Sequence, residues 1–431
     1  MISAEASRQT AAVVHRQALT AIRWHVMAAL FLLSFVTIVD RVAISSAKND
    51  MAAELRIPDL TFGVVFGAFA IGYAIFMLPS GWLADRWGPR KFLAATVACW
   101  SLFTLGTGLV SVVSVLIAIR FLFGAAEAGA YPTAARALYG WLPIGERGLA
   151  LGLMNTGSRL GAAIGLTAMS VSVAAIGWRA SFLVLGAVGF VWAAWWFAWF
   201  RDDPRQKRGV STAELELIGT AAIPTAAGKQ EMRWQALVSR DSALLLVQYF
   251  ASNFTFFFCF SWLLPYLRSR FGLGPHEAGA WASIPLYCGA LATWTSGLTV
   301  DAIYRRGRWG TSRRLPAMCG FGLAAVMLVV APHMASVGGF IACFAITTFG
   351  IDFTLSPSWS VASDIGGPRT GTLSAAMNTL GSTGSFVSSV LFPALLAWTG
   401  SIQSHFLLAA ALDVAAVFCW WAIRPERYKR S

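Results

Sequence analysis

Twelve apolar stretches, each long enough to cross a bilayer, follow one another along this chain, and that succession constrains the fold more than any motif. They fall at residues 24–46, 60–84, 91–112, 114–141, 147–175, 178–200, 241–267, 276–300, 315–333, 336–362, 371–398 and 402–423, numbered here as spans one to twelve. Lipid offers no partner for a backbone N–H or C=O, so each run must close its hydrogen bonds within itself, as a helix. The expected class is all-α and integral to the membrane. Of the 431 residues, 57% are hydrophobic and 12% charged, where soluble domains carry roughly 25% charged residues. The bases behind the net charge of +13 sit in loop clusters between apolar runs, so no nucleic-acid partner is expected. Cys99, Cys259, Cys288, Cys319, Cys343 and Cys419 fall singly in apolar segments, without disulfide or metal spacing. Arg8, Arg16 and Arg23 ahead of span one, with the small residues Ser45-Ser46-Ala47 at its end, raise a signal peptide as an alternative. Asp40-Arg41 interrupts that apolar region and many spans follow, so span one is read as retained.

The bases set the orientation. Arg8, Arg16, Arg23, Arg86, Arg90, Lys91, Arg147, the 201–240 segment, Arg305, Arg306, Arg308, Arg313, Arg314, Arg369, Arg424, Arg427, Lys429 and Arg430 fall on one side. Only Lys48, Arg56, Arg179, Arg268 and Arg270 fall on the other. The positive-inside rule then makes both termini cytoplasmic, which requires an even number of spans. The chain also repeats itself. Gly81-x-x-x-Asp85 is echoed by Gly297-x-x-x-Asp301, 216 residues on, and Met154-Asn155-Thr156 by Met377-Asn378-Thr379, 223 residues on. Similar offsets point to a duplicated six-helix unit, hence two pseudo-symmetric six-helix bundles. The expected organisation is a cytoplasmic tail 1–23, a bundle 24–200, a cytoplasmic linker 201–240, a bundle 241–423 and a cytoplasmic tail 424–431. Asp202, Asp203, Pro204 and Pro224 mark the linker as a solvated tether, with Ser211-x-x-Glu214 as a capping box for one short helix.

Charges inside the spans carry the expected chemistry. Asp40 and Arg41 lie late in span one, Arg120, Glu127 and Arg136 on span four, and Arg159 on span five. Each costs roughly 2.5–3.5 kcal/mol near a helix centre, so such groups face a cavity or a partner. Arg120 and Glu127 are seven residues apart and share a face of span four, with Tyr131 one turn beyond. Asp40-Arg41 and Glu127-Arg120 thus form two acid–base sets. The plainer alternative is an ion pair that glues spans one and four together. Arg136, near the cytoplasmic end, reads as snorkelling or pairing there; Arg159 stays open. Desolvation favours a neutral carboxyl and an adjacent arginine favours the charged form, so proton occupancy depends on whether an anion neutralises that arginine. Arginine supplies a fixed charge and a fork that fits a carboxylate. This is the logic of a proton-coupled anion site.

The turn Gly81-Trp-Leu-Ala-Asp85-Arg86-Trp-Gly88-Pro-Arg90-Lys91 between spans two and three resembles the loop between helices 2 and 3 of the major facilitator superfamily of secondary transporters. Within it, the chain is most similar to the anion:cation symporter family. The matching text is Asp40-Arg41-x-x-Ile44-Ser45-x-Ala47, Gly72-Tyr73, Leu78-Pro79-x-Gly81-Trp82 and Arg120-Phe-Leu-x-Gly124-x-x-Glu127-Ala128-Gly129-x-x-Pro132. Trp141-x-Pro143, Glu146-Arg147, Gly177-Trp178-Arg179 and Asp203-Pro204 continue it. So do Trp262-Leu-x-Pro265-Tyr266-Leu, Ser356-Pro357-x-Trp359, Asp364-Ile365 and Met377-Asn378. The resemblance covers about residues 24–423 and implies the major facilitator fold. It implies that Asp40 and Glu127 carry protons, that Arg41 and Arg120 lie near the anion, and that Tyr73 and Asn378 line the substrate site. Ser158, Arg159 and Trp359 are added as candidate substrate-binding residues. Gly81, Asp85, Arg86, Gly88 and Arg90 become the cytoplasmic gate. The implied activity is proton-coupled import of an organic carboxylate such as a sugar acid, hexuronate, tartrate-like or aromatic acid. The coupling ion is the proton, with no other cofactor. The expected partners are the anion, protons and the lipid of a bacterial cytoplasmic (inner) membrane, with the chain working as a monomer.

The chain departs from the family in places. Ile38 stands where sugar-acid members often have Tyr, and Ser158, beside a charged Arg159, where Gln is frequent. Fewer hydroxyl partners suit a polyhydroxylated cargo less well, while Arg159 hints at a second negative charge. The run Phe254-Thr-Phe256-Phe257-Phe258 with Trp262 reads as lipid-facing bulk or, alternatively, as an apolar pocket wall. A multidrug or metabolite proton antiporter of the same superfamily is the leading alternative, but 147–175 lacks the proline of its usual span-five motif. A facilitator for neutral solutes has no need of Asp40 with Glu127, and neither HExxH nor GxSxG supports an enzyme. A transport-like sensor is the remaining alternative.

Overall fold

The computed structural model describes residues 22–219, 239–366 and 370–428, and among them every regular element is helical. Arg8, Arg16, Pro224, Arg369, Lys429 and Arg430 lie outside the described residues, as does the side chain of Asp85. Ten stretches are long and apolar enough to cross a membrane. One of them, Leu149–Trp199, is two spans joined at Gly177, and Pro275–Arg305 supplies another, so the expected twelve spans are present. Span one runs Ile22–Leu55, past its apolar core. Its added turns persist because their charges find partners: Lys48 pairs with Asp59, Asp50 with Arg268 and Glu54 with Arg179.

Glycine makes the tight reversals. Gly88 (φ +74°) separates spans two and three, and Gly177 (φ +78°) separates spans five and six. Gly307 (φ +75°) and Gly400 (φ +68°) occupy the matching junctions of the second half. A Cβ is strained at such angles, so glycine lets two spans reverse over one residue. Packing repeats as well. Span one lies on five, two on four and three on six; seven lies on eleven, eight on ten and nine on twelve. Spans two and eleven, and five and eight, join the halves. These are two pseudo-symmetric six-helix bundles.

Spans two and four approach backbone to backbone. A Cβ on Gly72 would run into the Phe121 carbonyl, and one on Gly124 into the Phe69 carbonyl. Between the halves, the hydrogen bonds among described residues concentrate at the end opposite the termini. Ser45 donates to the Ser261 carbonyl (2.7 Å), Asn49 to that of Pro265 (3.4 Å), and Ser283 to that of Ala163 (2.7 Å). Gly63 and Gly67 press on Ser389 and Phe386 of span eleven there. Towards the termini, Gly81, Gly152 and Gly297 have nothing within 4 Å of a Cβ position. The contacts between the halves are densest at the far end; towards the termini Trp294 of span eight still donates to Thr156 of span five at 3.2 Å.

Two expectations change. Phe254, Phe257, Phe258 and Trp262 do not face lipid: all are buried, the first with His405, Phe258 with Phe392 and Phe406, Trp262 with Phe392, and Phe257 with Phe260. The linker is not only a solvated tether. Ser211 caps its helix Thr212–Gly219 through the Glu214 N–H as expected, but Glu214 is buried and accepts from Arg23. Arg23 also binds Glu146, which docks the helix on the first bundle.

Overpacking a dense contact costs about 1–3 kcal/mol, so Gly124→Val is expected to lower the detergent melting temperature and the folded yield. Gly81→Ala, in open space, is expected to stay within about 0.5 kcal/mol of the parent. Thermal unfolding of both variants checks the contrast.

Candidate functional site

The charges of spans one, four and five converge between the halves, but not in the sets that spacing suggests. Arg41 Nε donates to Glu127 Oε1 at 2.7 Å, and the Glu127 side chain is wholly buried. Arg120 is therefore not the hydrogen-bonded partner of Glu127, although both share a face of span four. Its guanidinium lies over Phe69 (5.4 Å) and Phe123 (4.8 Å) instead. Asp40 does not pair with its neighbour Arg41 either; consecutive helical residues point about 100° apart. Asp40 Oδ1 accepts from Thr104 of span three at 3.2 Å. The guanidinium of Arg41 also lies against the neighbouring rings of Tyr73 (4.8 Å) and Phe69 (5.0 Å) on span two.

Several polar atoms here have no partner among the described residues: Asp40 Oδ2, Arg41 Nη2, Arg120 Nε and Glu127 Oε2. Buried groups in low dielectric are normally satisfied, and a desolvated guanidinium with a free N–H is an anion receptor. Ser158 hydrogen-bonds Tyr131, tying span five to span four beside Arg41. Arg159 crosses to the second half, where its Nη2 donates to Asp352 Oδ1 at 2.8 Å while its guanidinium lies 5.2 Å from the Phe256 ring centre. Trp359 stands edge-on to Tyr249 and is 41% exposed. Asn378 donates to the Ser374 carbonyl within its own helix at 3.0 Å. Arg136, as expected at the terminal end, reaches the Ala84 carbonyl.

Asp352 and Tyr249 are the residues that sequence reasoning missed. A signal existed. Span four breaks just after Glu127, between Val113–Glu127 and Ala130–Trp141, and span ten breaks just after Asp352, between Val337–Phe353 and Leu355–Gly366. Glu127 is followed five residues later by Pro132, and Asp352 five residues later by Pro357. Asp352 is the repeat counterpart of Glu127.

The charged turn is anchored within its own half. Asp202 Oδ1 accepts from the Arg90 N–H at 2.8 Å, and the same carboxylate faces Gly88. Arg90 also donates to the Phe197 carbonyl, and Arg86 lies over Trp82. Gly81 and Asp85 occupy the helical end of span two. Arg147 is bound by the Tyr139 and Leu142 carbonyls. Among the described residues no His, Cys, Asp and Glu group could hold a metal ion.

The Major Facilitator Superfamily model matches residues 30–389. A probable sulfoacetate transporter of Cupriavidus necator is 33% identical over 394 residues, covering 90% of this chain and 91% of that one. A probable galactarate/D-glucarate transporter of Bacillus subtilis is 29% identical, covering 93% and 91%. The hexuronate transporter of the same organism is 27% identical, covering 90% and 91%. Among solved structures, a bacterial homolog of the human lysosomal transporter Spinster, inward-facing and occupied, superposes with a TM-score of 0.76. It shares 17% identity, with 95% of this chain and 98% of that one covered.

Removing one partner of a buried ion pair costs about 3–5 kcal/mol, because the other charge stays buried alone. Arg41→Met is thus expected to destabilise the protein strongly, and adding Glu127→Gln to recover most of the loss. Melting curves of the two variants in detergent check this; equal instability would mean that the pair is not what holds these side chains.

Proposed function

Since the chain belongs to the Major Facilitator Superfamily of transporters, we propose that it imports an organic carboxylate by proton symport through alternating access. The observation that carries this reading is the buried Arg41–Glu127 pair, with Asp40 and Arg120 beside it and, among the described residues, unpartnered N–H groups on both arginines. An incoming carboxylate can replace Glu127 on Arg41. Glu127, then desolvated without its counter-charge, binds a proton, so anion and proton enter together. Relatives named as sulfoacetate, sugar-acid and hexuronate transporters support an anionic cargo. Arg41, Tyr73, Arg120, Ser158, Arg159, Trp359 and Asn378 are proposed to line the cargo site, and Asp40 and Glu127 to carry the protons. The bundles 24–200 and 241–423 move about the site, tethered by 201–240. The side bearing the termini is assigned to the cytoplasm of a bacterial cell, and a single chain suffices.

Two protons with one monoanion move net positive charge inward, which an inside-negative potential assists by about 2.3 kcal/mol per charge per 100 mV. Proteoliposome uptake of a sugar acid is expected to rise with an inward proton gradient and again with that potential. Glu127→Gln keeps shape but releases no proton; it is expected to exchange cargo in counterflow and to lose gradient-driven accumulation. Normal accumulation by this variant would reduce Glu127 to a structural role.

Gly81, Asp85, Arg86, Gly88 and Arg90 are proposed as the gate on the side of the termini. Asp85 would stabilise the closed state there by meeting the positive N-terminal end of span eleven. Asp85→Asn is then expected to raise cysteine accessibility at engineered sites in the cavity on that side. Accessibility equal to the parent's would remove Asp85 from the gate.

A further inference from the structure

The two halves of the molecule carry the same device. Glu127 on span four is held by an arginine from span one, and its repeat counterpart Asp352 on span ten is held by an arginine from span five. The second pair differs in one respect: it bridges the halves. Asp352 is 2% exposed, and its Oδ2 has no partner among the described residues. That oxygen fills the space where a Cβ on Gly289 of span eight would stand, so glycine there leaves room for the carboxyl. The titratable groups facing Asp352 are Arg159 from span five and Tyr249 and Cys259 from span seven. Arg159 is its one cationic neighbour among the described residues. Arg159 itself is part-exposed, and its chain neighbour Ser158 hydrogen-bonds Tyr131 of span four, the span that carries Glu127. Through spans four and five the two pairs sit on neighbouring, directly bonded helices.

Resting on the proposed anion-symport reading, we propose that Arg159 is a second anion subsite, occupied in this structure by Asp352. The cargo it selects is a small dianion, one head on Arg41 and the other on Arg159. Displacing Asp352 from Arg159 leaves a carboxylate without a cation in a low-dielectric site, which it cannot remain. It takes a proton from water admitted with the cargo, while Arg159 stays a guanidinium and exchanges one charge-assisted hydrogen bond for another. The second head brings one negative charge and Asp352 gains one positive, so the charge of the subsite is unchanged. A monoanion engages Arg41 alone and leaves the Arg159–Asp352 pair closed.

The test uses the full chain purified in detergent, with the dicarboxylates from malonate to adipate and sulfoacetate, each compared with its monomethyl ester. Binding is read by thermal shift and titration calorimetry, and proton uptake by a pH indicator in weak buffer. At least one dianion is expected to bind roughly tenfold or more tighter than its ester, the size of one charge-assisted hydrogen bond. It is expected to take up one proton more than the ester does. Arg159→Gln with Asp352→Asn removes both charges together, and the dianion-to-ester ratio is expected to fall about tenfold, towards one. Asp352→Asn alone is expected to abolish the extra proton. If no dianion outbinds its ester, if the double variant keeps the wild-type ratio, or if Asp352→Asn still takes up the extra proton, Arg159–Asp352 is only a latch between the halves and the proposal is overturned. Should neither esters nor dianions bind the wild-type chain, the anion reading itself fails and this inference falls with it.

Discussion

Everything at the centre of this molecule follows from the cost of holding an ion away from water. Arg41 cannot discard its proton, so in a membrane interior it must be answered by a carboxylate or by a cargo anion. Glu127 answers it at 2.7 Å, and the aromatic faces of Tyr73 and Phe69 hold the guanidinium in place. The surrounding helices serve that geometry. Spans two and four meet at Gly72 and Gly124 without intervening side chains, which brings Tyr73 close to the face of span four that carries Glu127. A buried ion pair is weak evidence for stability; its exchangeability is what a carrier can use.

Duplication gives the second half its own version of the arrangement, and divergence altered it. The kink after Glu127 recurs after Asp352, and the glycine reversals at Gly88 and Gly177 recur at Gly307 and Gly400. The cation facing Asp352 comes from the opposite half, as Arg159. That substitution turns a pair confined to one bundle into a contact that changes whenever the bundles move relative to one another.

The fold was legible in the sequence because lipid permits so few solutions: apolar length marked the spans, and the repeated motifs marked the two halves. The acids and bases of the candidate site stood out as intramembrane charges. Their pairing was not. Asp40 and Arg41 are chain neighbours that point apart, and Arg120 shares a helix face with Glu127 without bonding it. Rotation of one helix about its axis decides such contacts, and a single sequence does not contain that angle. Asp352 was overlooked because one acid in an apolar run has no local partner to mark it. The phenylalanines of span seven misled for a related reason: a helix apolar all round does not say which face meets lipid. Glu214 could not be foreseen as buried, since its partner Arg23 lies 191 residues away.

The far-end contacts carry a kinetic meaning. Where the halves close, the bonds are mostly single hydroxyl or amide donors resting on carbonyls, as at Ser45, Asn49 and Ser283, with one ion pair, Arg268–Asp50. Each such bond is worth about 0.5–1.5 kcal/mol net. A seam made of small equal steps can open one bond at a time, with water replacing each acceptor's partner, so no single event has to meet the whole cost. A few buried ion pairs in the same place would have given a seam of equal strength that parts only at once, and slowly.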